Sequence, residues 1–246
     1  MKGLRDKTVL VTGGGGAIGA AICRRFAEEG AHVLVADKNE ESCLSVSKEV
    51  GGKALVFDIS SYSEAKRAVD SAGQIDILVN NAGWDRFQNF LDTDPAEWEQ
   101  LIAINLRGPL NMHHLVLPQM AARGAGRVVS ISSDAARVGS SGESVYAACK
   151  GGIISLTKTL ARELARKGVT LNVVCPGPTD TPILRGFLGE GESGRKVYDA
   201  LLRAIPQKRI GRPDDVPGIV AFLASDEAAY ITGQVISVSG GLTMAG

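Results

Sequence analysis

Tyr146 and Lys150 lie four residues apart, a spacing that places both side chains on one face of a helix. A free tyrosine has a pKa near 10, so only about one molecule in a thousand is ionised at neutral pH. A neighbouring ammonium group would stabilise the phenolate, and lowering the pKa by two to three units needs roughly 3–4 kcal/mol. The phenol could then accept a proton from an alcohol or donate one to a ketone. The pair alone is a common pattern, so its meaning depends on the rest of the chain.

A glycine-rich turn near the start of the chain is a second candidate for chemistry. The run 13–16, followed by Gly19, comes after a short apolar run and before a helical pattern. In that context the glycines let the backbone approach a pyrophosphate, and the N-terminus of the helix supplies free N–H groups. Four consecutive glycines also fit a plain tight turn. The flanking strand and helix favour the dinucleotide interpretation.

Acidic residues follow two later apolar runs. Asp37 lies eighteen residues after Gly19 (37 − 19), where an acid accepts hydrogen bonds from an adenosine ribose and repels a 2′-phosphate. The sequence therefore predicts NAD rather than NADP, although Lys38 could reach a phosphate and a strand-end turn is the alternative role for Asp37. Asp58, with Ile59 beside it, closes the third predicted strand, where the acid could bond the adenine amino group or cap the next helix.

The elements that must position these residues alternate along the chain. Apolar runs rich in Val, Ile and Leu predict strands buried on both faces, at 8–12, 32–36, 54–57, 75–80, 127–132, 170–175 and 234–238. Helical patterns lie between them, at 17–29, 40–50, 63–72, 95–120, 145–167 and 213–224. This alternation predicts an α/β fold, a single doubly wound, parallel seven-stranded sheet with helices on both faces, similar to the Rossmann fold.

One domain spanning 1–246 is predicted, because no repeat, low-complexity tract or Pro/Ser linker interrupts the chain. The glycine-punctuated stretch 181–212 is predicted to be irregular, and residues 182–212 to form a mobile substrate lid.

Composition excludes several classes of function. The 27 basic and 27 acidic residues balance, which argues against a surface that coats nucleic acid. The four cysteines and three histidines have no ligand spacing, so no metal site is predicted. No apolar run has the length of a secretion signal or a membrane span, so we expect a cytoplasmic protein without nucleic-acid or membrane partners.

These motifs, in this order, resemble the short-chain dehydrogenase/reductase family over nearly the whole chain. The matching positions are 12–19, 80–83, Asn105, Ser133, 146–150 and 176–177. The resemblance implies a nicotinamide-dependent oxidoreductase acting on secondary alcohols and ketones. It also implies a catalytic tetrad. Ser133 orients the substrate oxygen and Tyr146 transfers the proton. Lys150 binds the nicotinamide ribose and tunes Tyr146, and Asn105 holds a water that extends a proton relay. Ser133 lies thirteen residues before Tyr146, the usual family spacing, and is therefore preferred to Ser132.

The resemblance also implies the cofactor contacts. The segment 81–83 is expected to line a cofactor ribose, Ile18 and Thr179 to meet the nicotinamide end through backbone groups, and Thr181 to bond the carboxamide or pyrophosphate. The predicted cofactor residues are Gly13, Gly16, Ile18, Gly19, Asp37, Asp58, Ile59, Asn81, Ala82, Gly83, Tyr146, Lys150, Pro176, Gly177, Thr179 and Thr181.

A narrower resemblance concerns the substrate. Segments 81–85, 132–143, 175–181 and 233–244 are similar to those of family members that oxidise 2-hydroxycyclohexanecarboxyl-CoA with NAD. The expected substrate is therefore a cyclic or short β-hydroxyacyl-CoA, contacted by Trp84, Arg137, Ser133 and Tyr146. The cations available for CoA phosphates, or alternatively for a solvated helix face, are Arg185, Arg195, Lys196, Arg203, Lys208 and Arg209.

Other functions stay open. The C-terminal third is also similar to 3-oxoacyl-acyl-carrier-protein reductases, which usually use NADPH and carry a basic residue near the glycine turn that this chain lacks. A sugar, polyol or steroid dehydrogenase and a non-catalytic nucleotide sensor are further alternatives, the last disfavoured because all four tetrad residues are present. The family resemblance implies a homotetramer.

Overall fold

The strands of the protein form one parallel sheet. The structure is a computed structural model that describes residues 1–188 and 191–244, and within these residues the strand order is β3-β2-β1-β4-β5-β6-β7. The strands are β1 (Thr8–Thr12), β2 (His32–Asp37), β3 (Lys53–Val56), β4 (Ile77–Asn80), β5 (Gly126–Ile131), β6 (Val169–Pro176) and β7 (Val235–Val238). The predicted α/β fold with a doubly wound seven-stranded sheet is confirmed.

Helices cover both faces of this sheet. They are α1 (Ala17–Glu28), α2 (Glu40–Glu49), α3 (Tyr62–Ala72), α4 (Pro95–Ile102), α5 (Gly108–Arg123), α6 (Ala135–Val138), α7 (Ser144–Leu164), α8 (Pro182–Leu188), α9 (Gly191–Ala204) and α10 (Pro217–Ala224). Short 3-10 turns extend the C-terminal end of α7 and precede α10.

Alternate residues of each strand enter two separate cores. In β1, Val9 and Val11 pack with Phe26 of α1 and Val220 of α10, whereas Leu10 packs on the opposite face with helices α3 and α5. Burial on both faces explains why the strands are continuous apolar runs without a polar alternation. The order of the strands switches at β1, because β1 to β3 run towards one edge of the sheet and β4 to β7 towards the other, while β1 and β4 pair directly in parallel. In such sheets this switch point opens a crevice at the carboxyl ends of the strands.

The helix predicted over 95–120 is interrupted. A π-helical turn, Ala103–Arg107, separates α4 from α5, and Asn105 in it donates from Nδ2 to the carbonyl of Leu101 at 3.0 Å. A π turn inserts one extra residue into the helix, which rotates the following residues and is frequent at functional sites. Apolar residues on both sides of the π turn recur at nearly the spacing of a regular helix, so the sequence pattern did not reveal the turn.

The stretch predicted as irregular is mostly helical. Helices α8 and α9 occupy it, and the predicted irregular structure is wrong for the described part of 181–212. A small core of Leu184, Ile205 and Ile210, joined by Leu201 and Leu242, holds this region together. That apolar burial outweighs the cost of about 1 kcal/mol for each glycine in a helix interior, such as Gly186. The predicted mobility of this lid stays a prediction, and Gly189 lies outside the described residues.

No helix in the described ranges 1–188 and 191–244 has the length and apolarity needed to span a bilayer.

Candidate active site

A cleft of about 600 Å³ opens at the carboxyl ends of the strands, beside the β1–β4 switch point. Its walls combine the turn after β1, the ends of β2 and β3, the loop after β4, the first two turns of α7, and the lid helices. All sixteen predicted cofactor residues line it: Gly13, Gly16, Ile18, Gly19, Asp37, Asp58, Ile59, Asn81, Ala82, Gly83, Tyr146, Lys150, Pro176, Gly177, Thr179 and Thr181. The predicted residues therefore come together in one place, although their contacts with a cofactor stay predictions.

The glycine turn has room only for glycine at two of its positions. Gly13 has a φ of +62°, and a Cβ there would lie 2.7 Å from the Cα of Ala82. A Cβ on Gly19 would lie 2.0 Å from the carbonyl oxygen of Gly13. Gly16 is the N-cap residue of α1 and has no side chain to bond the helix N-terminus. The N–H groups of the first turn are therefore available to the cleft. This cradle fits the pyrophosphate of a dinucleotide.

The loop after β4 fixes the shape of the glycine turn. The Asn81 carboxamide donates to the carbonyls of Thr12 and Gly13, both at 3.0 Å. In return, the Thr12 hydroxyl accepts from the backbone N–H groups of Asn81 and Ala82 at 3.0 and 3.2 Å. These bonds join the ends of β1 and β4 and hold the glycine turn against the loop after β4.

Asp37 is held at the end of β2 by two backbone donors. One carboxylate oxygen accepts from the N–H of Gly15 at 3.0 Å and the other from the N–H of Asn39 at 3.0 Å. The fixed carboxylate faces the cleft, where it can accept from ribose hydroxyls, and its charge opposes a 2′-phosphate. Lys38 also lines the cleft beside it.

Asp58 already has partners within its own turn. Its Oδ1 accepts from the N–H and the hydroxyl of Ser60, at 2.8 and 2.7 Å. These bonds close a turn, whereas the cap of α3 is Ser61, whose hydroxyl accepts from the N–H of Glu64, so the predicted helix-capping role of Asp58 is wrong. The half-buried Asp58 also lines the cleft. Ile59 is buried beside it.

Ser133, Tyr146 and Lys150 meet at the base of the cleft. The Ser133 hydroxyl hydrogen-bonds the Tyr146 phenol, and the Lys150 Nζ lies 5.6 Å from the centre of the Tyr146 ring. Ser132 has another task, because its hydroxyl donates to the carbonyl of Lys150 at 2.9 Å and anchors α7 to β5. The i, i+4 pair therefore shares one helix face next to the serine, as predicted.

Burial shifts the pKa values of Tyr146 and Lys150 towards their uncharged forms, and the predicted lowering of the Tyr146 pKa by Lys150 together with a cationic nicotinamide stays a prediction. Burial, together with the carboxylates of Asp85 and Glu143, raises the pKa of the Tyr146 phenol, and the Ser133 hydrogen bond offsets only part of this. Burial also lowers the pKa of the Lys150 ammonium to about 8. Lys150 donates to the carbonyl of Ile131 at 3.0 Å, which satisfies one of its three protons.

Asn105 lies behind the cleft rather than on its wall. It is fully buried in the π turn, and its Nδ2 donates to the carbonyl of Trp84 at 2.7 Å while its Oδ1 accepts from the N–H of the same residue at 3.1 Å. A Cβ added to Gly83 would meet both Asn105 and Lys150, at 3.1 and 3.2 Å, so glycine allows their close approach. The side chain of Asn105 therefore positions the loop after β4.

The loop after β6 forms the opposite wall. Thr179 is buried, donates from its hydroxyl to the carbonyl of Gly177 at 2.9 Å, and pairs with Gly211 in a short bridge. The Thr181 hydroxyl accepts from the N–H of Leu184 at 3.3 Å and so caps α8. The predicted contact residues at this wall are thus connected directly to the lid helices.

The far end of the cleft is apolar. Trp84 lines it as predicted, and the other apolar residues there are Phe87, Val138, Ile183, Leu184, Leu201 and Leu242. Such a lining suits a hydrocarbon chain or ring.

Arg137, the other predicted substrate contact, is placed differently. It is not among the described residues that line the cleft, and its guanidinium donates to the Ser237 hydroxyl of β7 at 2.7 Å. Ser237 in turn donates to the buried carboxylate of Asp134. Arg137 follows a strand end, but α6 turns its side chain towards β7, so a direct substrate contact is not supported.

Several cleft residues were missed by the sequence interpretation. Glu143 lines the cleft one turn before Tyr146, and Leu242 and Thr243 bring the C-terminal segment to it. Asp85 is not among the described residues that line the cleft, but its charge contributes to raising the pKa of Tyr146. Glu143 lies one helical turn before Tyr146, which was a usable signal. Nothing local in the sequence marks the other three residues.

Half of the cations considered for CoA phosphates are paired with acids. Arg185 bonds Asp180 at 2.8 Å, Lys196 bonds Glu192 at 2.8 Å, and Arg209 bonds Asp215. These pairs are exposed, so each contributes little to stability and can exchange partners.

Comparisons with known proteins agree along nearly the whole chain. A family model described as Enoyl-(Acyl carrier protein) reductase matches residues 15–243. Acetoacetyl-CoA reductase of Rhizobium meliloti is 39% identical over 241 residues, which cover 96% of this chain and 98% of the relative. The 3-oxoacyl-acyl-carrier-protein reductase FabG of Thermotoga maritima is 36% identical over 250 residues, covering 98% and 99%. The crystal structure of levodione reductase superposes with a TM-score of 0.92 at 31% identity, covering 96% of this chain and 97% of that one.

Proposed function

Because the chain belongs to the short-chain dehydrogenase/reductase family, whose members act on CH–OH groups, we propose that it interconverts a secondary alcohol and a ketone on an acyl thioester with NAD as cofactor. The main support is the meeting of Ser133, Tyr146 and Lys150 in a cleft whose other half fits a dinucleotide. The bound dinucleotide would supply the hydride acceptor or donor.

Tyr146 is the proposed proton-transfer residue. In alcohol oxidation its phenolate takes the hydroxyl proton, and in ketone reduction its phenol donates a proton to the carbonyl oxygen. Ser133 holds the same oxygen, because its hydroxyl lies beside the phenol. Lys150 supplies positive charge behind the ring and is the proposed partner of the nicotinamide ribose. Asn105 is proposed to order a water next to Lys150, in addition to holding Trp84.

NAD is the proposed cofactor because Asp37 lines the cleft beside the glycine turn, where an adenosine ribose is expected to bind. Replacing Asp37 with alanine removes the charge that opposes a 2′-phosphate, and we expect the ratio of kcat/KM for NAD to that for NADP to fall at least tenfold. Asp70→Ala, an exposed acid on α3, is the matched control. A wild-type enzyme that prefers NADPH would contradict the assignment.

A β-hydroxyacyl-CoA is the proposed substrate, with 2-hydroxycyclohexanecarboxyl-CoA as the specific candidate. Trp84 and the apolar end of the cleft support a cyclic or short acyl group. One relative is named for acetoacetyl-CoA and another for 3-oxoacyl-acyl-carrier protein, so thioesters recur among the relatives. A 3-oxoacyl-acyl-carrier-protein reductase is the second candidate, favoured by the relative of that name.

A substrate panel tests this assignment. Hydroxyacyl-CoA esters, the same acyl groups on acyl-carrier protein, and the free alcohols are compared by NADH formation, with kcat/KM as the measure. We expect CoA esters to exceed free alcohols by about a hundredfold or more, because remote binding energy adds to transition-state stabilisation. Turnover of free alcohols alone would reject the thioester proposal, and preference for the carrier protein would establish the second candidate.

We also propose that the protein assembles as a homotetramer in the cytoplasm. Strand β7 lies at the sheet edge with all four residues half-buried, which leaves apolar surface for another copy. Light scattering coupled to size-exclusion chromatography measures the assembly, and a monomer at micromolar concentration would contradict it.

A further inference from the structure

A buried acid directly follows the serine of the candidate site. Asp134 is only 4% exposed and lines the cleft. Its Oδ1 accepts from the hydroxyl of Ser237 in β7, whereas its Oδ2 finds no donor among the described residues. The Oδ2 lies close to the loop after β6, because a Cβ built on Gly177 would be 3.6 Å from it. Burying a carboxyl group with so few donors is unfavourable, so the position of Asp134 depends on its contact with Ser237.

Ser237 connects this acid to a cation. Its hydroxyl accepts from the guanidinium of Arg137 at 2.7 Å. A guanidinium can only donate, so the single hydroxyl proton of Ser237 is left for the carboxyl group of Asp134. The direction of both hydrogen bonds, from Arg137 to Ser237 and from Ser237 to Asp134, is therefore fixed. Hydrogen bonds to charged partners are shorter and about twice as strong as neutral ones.

The backbone around Asp134 links this contact to Ser133. The N–H of Asp134 donates to the carbonyl of Pro176, at the end of β6, at 3.1 Å. Ser133 is bonded to the start of α6, because its hydroxyl accepts from the N–H of Ala135 at 3.2 Å and its carbonyl from the N–H of Ala136 at 3.1 Å. One peptide joins Ser133 to Asp134. A rotation of the Asp134 backbone therefore displaces the Ser133 hydroxyl as well.

We propose that Asp134 is a positioning residue, which is anchored by Ser237 of β7 and holds the Ser133 hydroxyl in place. In this place the hydroxyl bonds the Tyr146 phenol. The proposal rests on the function assigned to Ser133 above. Without the Ser237 hydroxyl, the Oδ1 of Asp134 loses its donor, and the carboxyl group turns towards the water of the cleft or towards Arg137. A displacement of about 1 Å at a reacting centre can lower a rate about a hundredfold, whereas the glycine turn is not involved.

Ser237→Ala tests the anchor by kinetics. The substitution leaves the residues that line the cleft unchanged, so we expect kcat to fall about tenfold or more while the Kd for NADH stays within about twofold. Ser237→Thr keeps a hydroxyl group and is expected to restore most of kcat. Ser225→Ala is the matched control, because the Ser225 hydroxyl also forms hydrogen bonds, with the backbone of Phe222 and Glu227, but does not line the cleft among the described residues.

The control is expected to lower stability and to leave kcat unchanged. A kcat in Ser237→Ala equal to that of Ser225→Ala would overturn the proposal. An equally low kcat in Ser237→Ala and Ser237→Thr would also overturn it, because the effect would then come from packing at β7 and not from the hydroxyl.

Crystal structures without cofactor or substrate separate this proposal from the proposed function. We expect the wild type to show the Ser133 hydroxyl in a hydrogen bond with Tyr146, and Ser237→Ala to show these two oxygens more than about 3.5 Å apart. An unchanged hydrogen bond in Ser237→Ala would refute the positioning role, whether or not a substrate is found. A broken hydrogen bond in the variant, together with a wild type that oxidises no alcohol of the panel, would refute only the proposed function.

Discussion

Tyr146 reaches the cleft from the first turn of α7, where burial, the charges of Asp85 and Glu143, and a hydrogen bond with Ser133 act on its phenol. The balance of these groups, rather than the tyrosine alone, determines when the oxygen carries a proton. Burial raises the pKa of the phenol most, because a phenolate loses more hydration than a phenol, and the acidic neighbours add to it.

Tyr146→Phe removes only the oxygen that transfers the proton. We expect kcat to fall by about a thousandfold, within the usual contribution of general acid–base catalysis, while the Kd for NADH stays within a few fold. Steady-state kinetics and NADH fluorescence measure the two quantities. Tyr62→Phe, an exposed tyrosine on α3, controls for the loss of a hydroxyl group. Activity retained in Tyr146→Phe would exclude the role assigned to this residue.

Lys150 combines a functional charge with an energetic cost. Burial lowers the pKa of the Lys150 ammonium from 10.5 to about 8. Between these two pH values the amine is protonated in the unfolded chain but mostly neutral in the folded protein, so lowering the pH favours unfolding. The resulting loss in the free energy of unfolding is complete below about pH 8 and disappears above about pH 10.5.

Lys150→Met is therefore expected to abolish turnover and yet to stabilise the protein without cofactor. At neutral pH we expect the free energy of unfolding to rise by about 1 to 3 kcal/mol, and this gain to vanish in alkaline solution. Urea unfolding of both proteins at several pH values measures the difference. A variant less stable than the wild type at every pH would contradict the cost assigned to the buried ammonium.

At the scale of elements, the π turn between α4 and α5 connects the fold to the site. It turns Asn105 inwards, where the side chain bonds Trp84 twice and Leu101 once. The loop after β4 thereby carries Trp84 and Asp85 at fixed positions. A regular helix over the same residues would point Asn105 elsewhere, because each inserted residue rotates a helix by about 100°.

Asn105→Ala tests that connection. Three hydrogen bonds are lost, one of them buried and two part-buried, so we expect the free energy of unfolding to fall by about 2 to 3 kcal/mol. We also expect kcat to fall as the loop loosens. Urea denaturation and steady-state kinetics check both effects, with the exposed Asn89→Ala as control. Unchanged stability would show that the loop is held by other contacts.

The strands and most helices were predictable because their burial leaves a direct pattern in the sequence. Continuous apolar runs marked β1 to β7, and the periodicity marked α1, α2, α3 and α7 to within a few residues. The π turn and the lid helices were not recovered. In both places a tertiary contact decides the outcome, namely the bonds of Asn105 and the small core around Ile205.

The site was recovered in part for a similar reason. Tyr146 and Lys150 are close in sequence, and the glycine turn has a local signature. Asp85 and Glu143 lie 58 residues apart (143 − 85), and no local pattern indicates that they meet. The sequence predicted that Arg137 contacts the substrate because it follows the end of a strand. A strand end identifies the correct edge of the sheet, but it does not determine the direction in which a side chain points.

At the scale of the whole molecule, both ends of the chain contribute to one cleft. Gly13 lies near its start, and Leu242 packs against the lid core while also lining the cleft. The C-terminal segment therefore joins the lid to the substrate end of the site.

Leu242→Ala is expected to weaken substrate binding selectively. Loss of its apolar contacts should raise KM for an acyl substrate about tenfold, with little change in the Kd for NADH, because Leu242 lines the cleft and packs with the apolar residues of the lid. Met244→Ala, two residues further on and largely exposed, is the matched control. An equal change in both variants, or in NADH binding alone, would contradict a substrate-end position.

The pairing of β1 with β4 has a consequence for the order of events during synthesis. Val9 of β1 pairs with Ile77 of β4, so β1 waits for 68 further residues (77 − 9) before its second neighbour emerges from the ribosome. Until then, β1 has only β2 beside it and exposes an apolar edge that can associate with other nascent chains. Translation pauses or a helper protein acting between β3 and β4 would therefore have their largest effect on the yield of active protein.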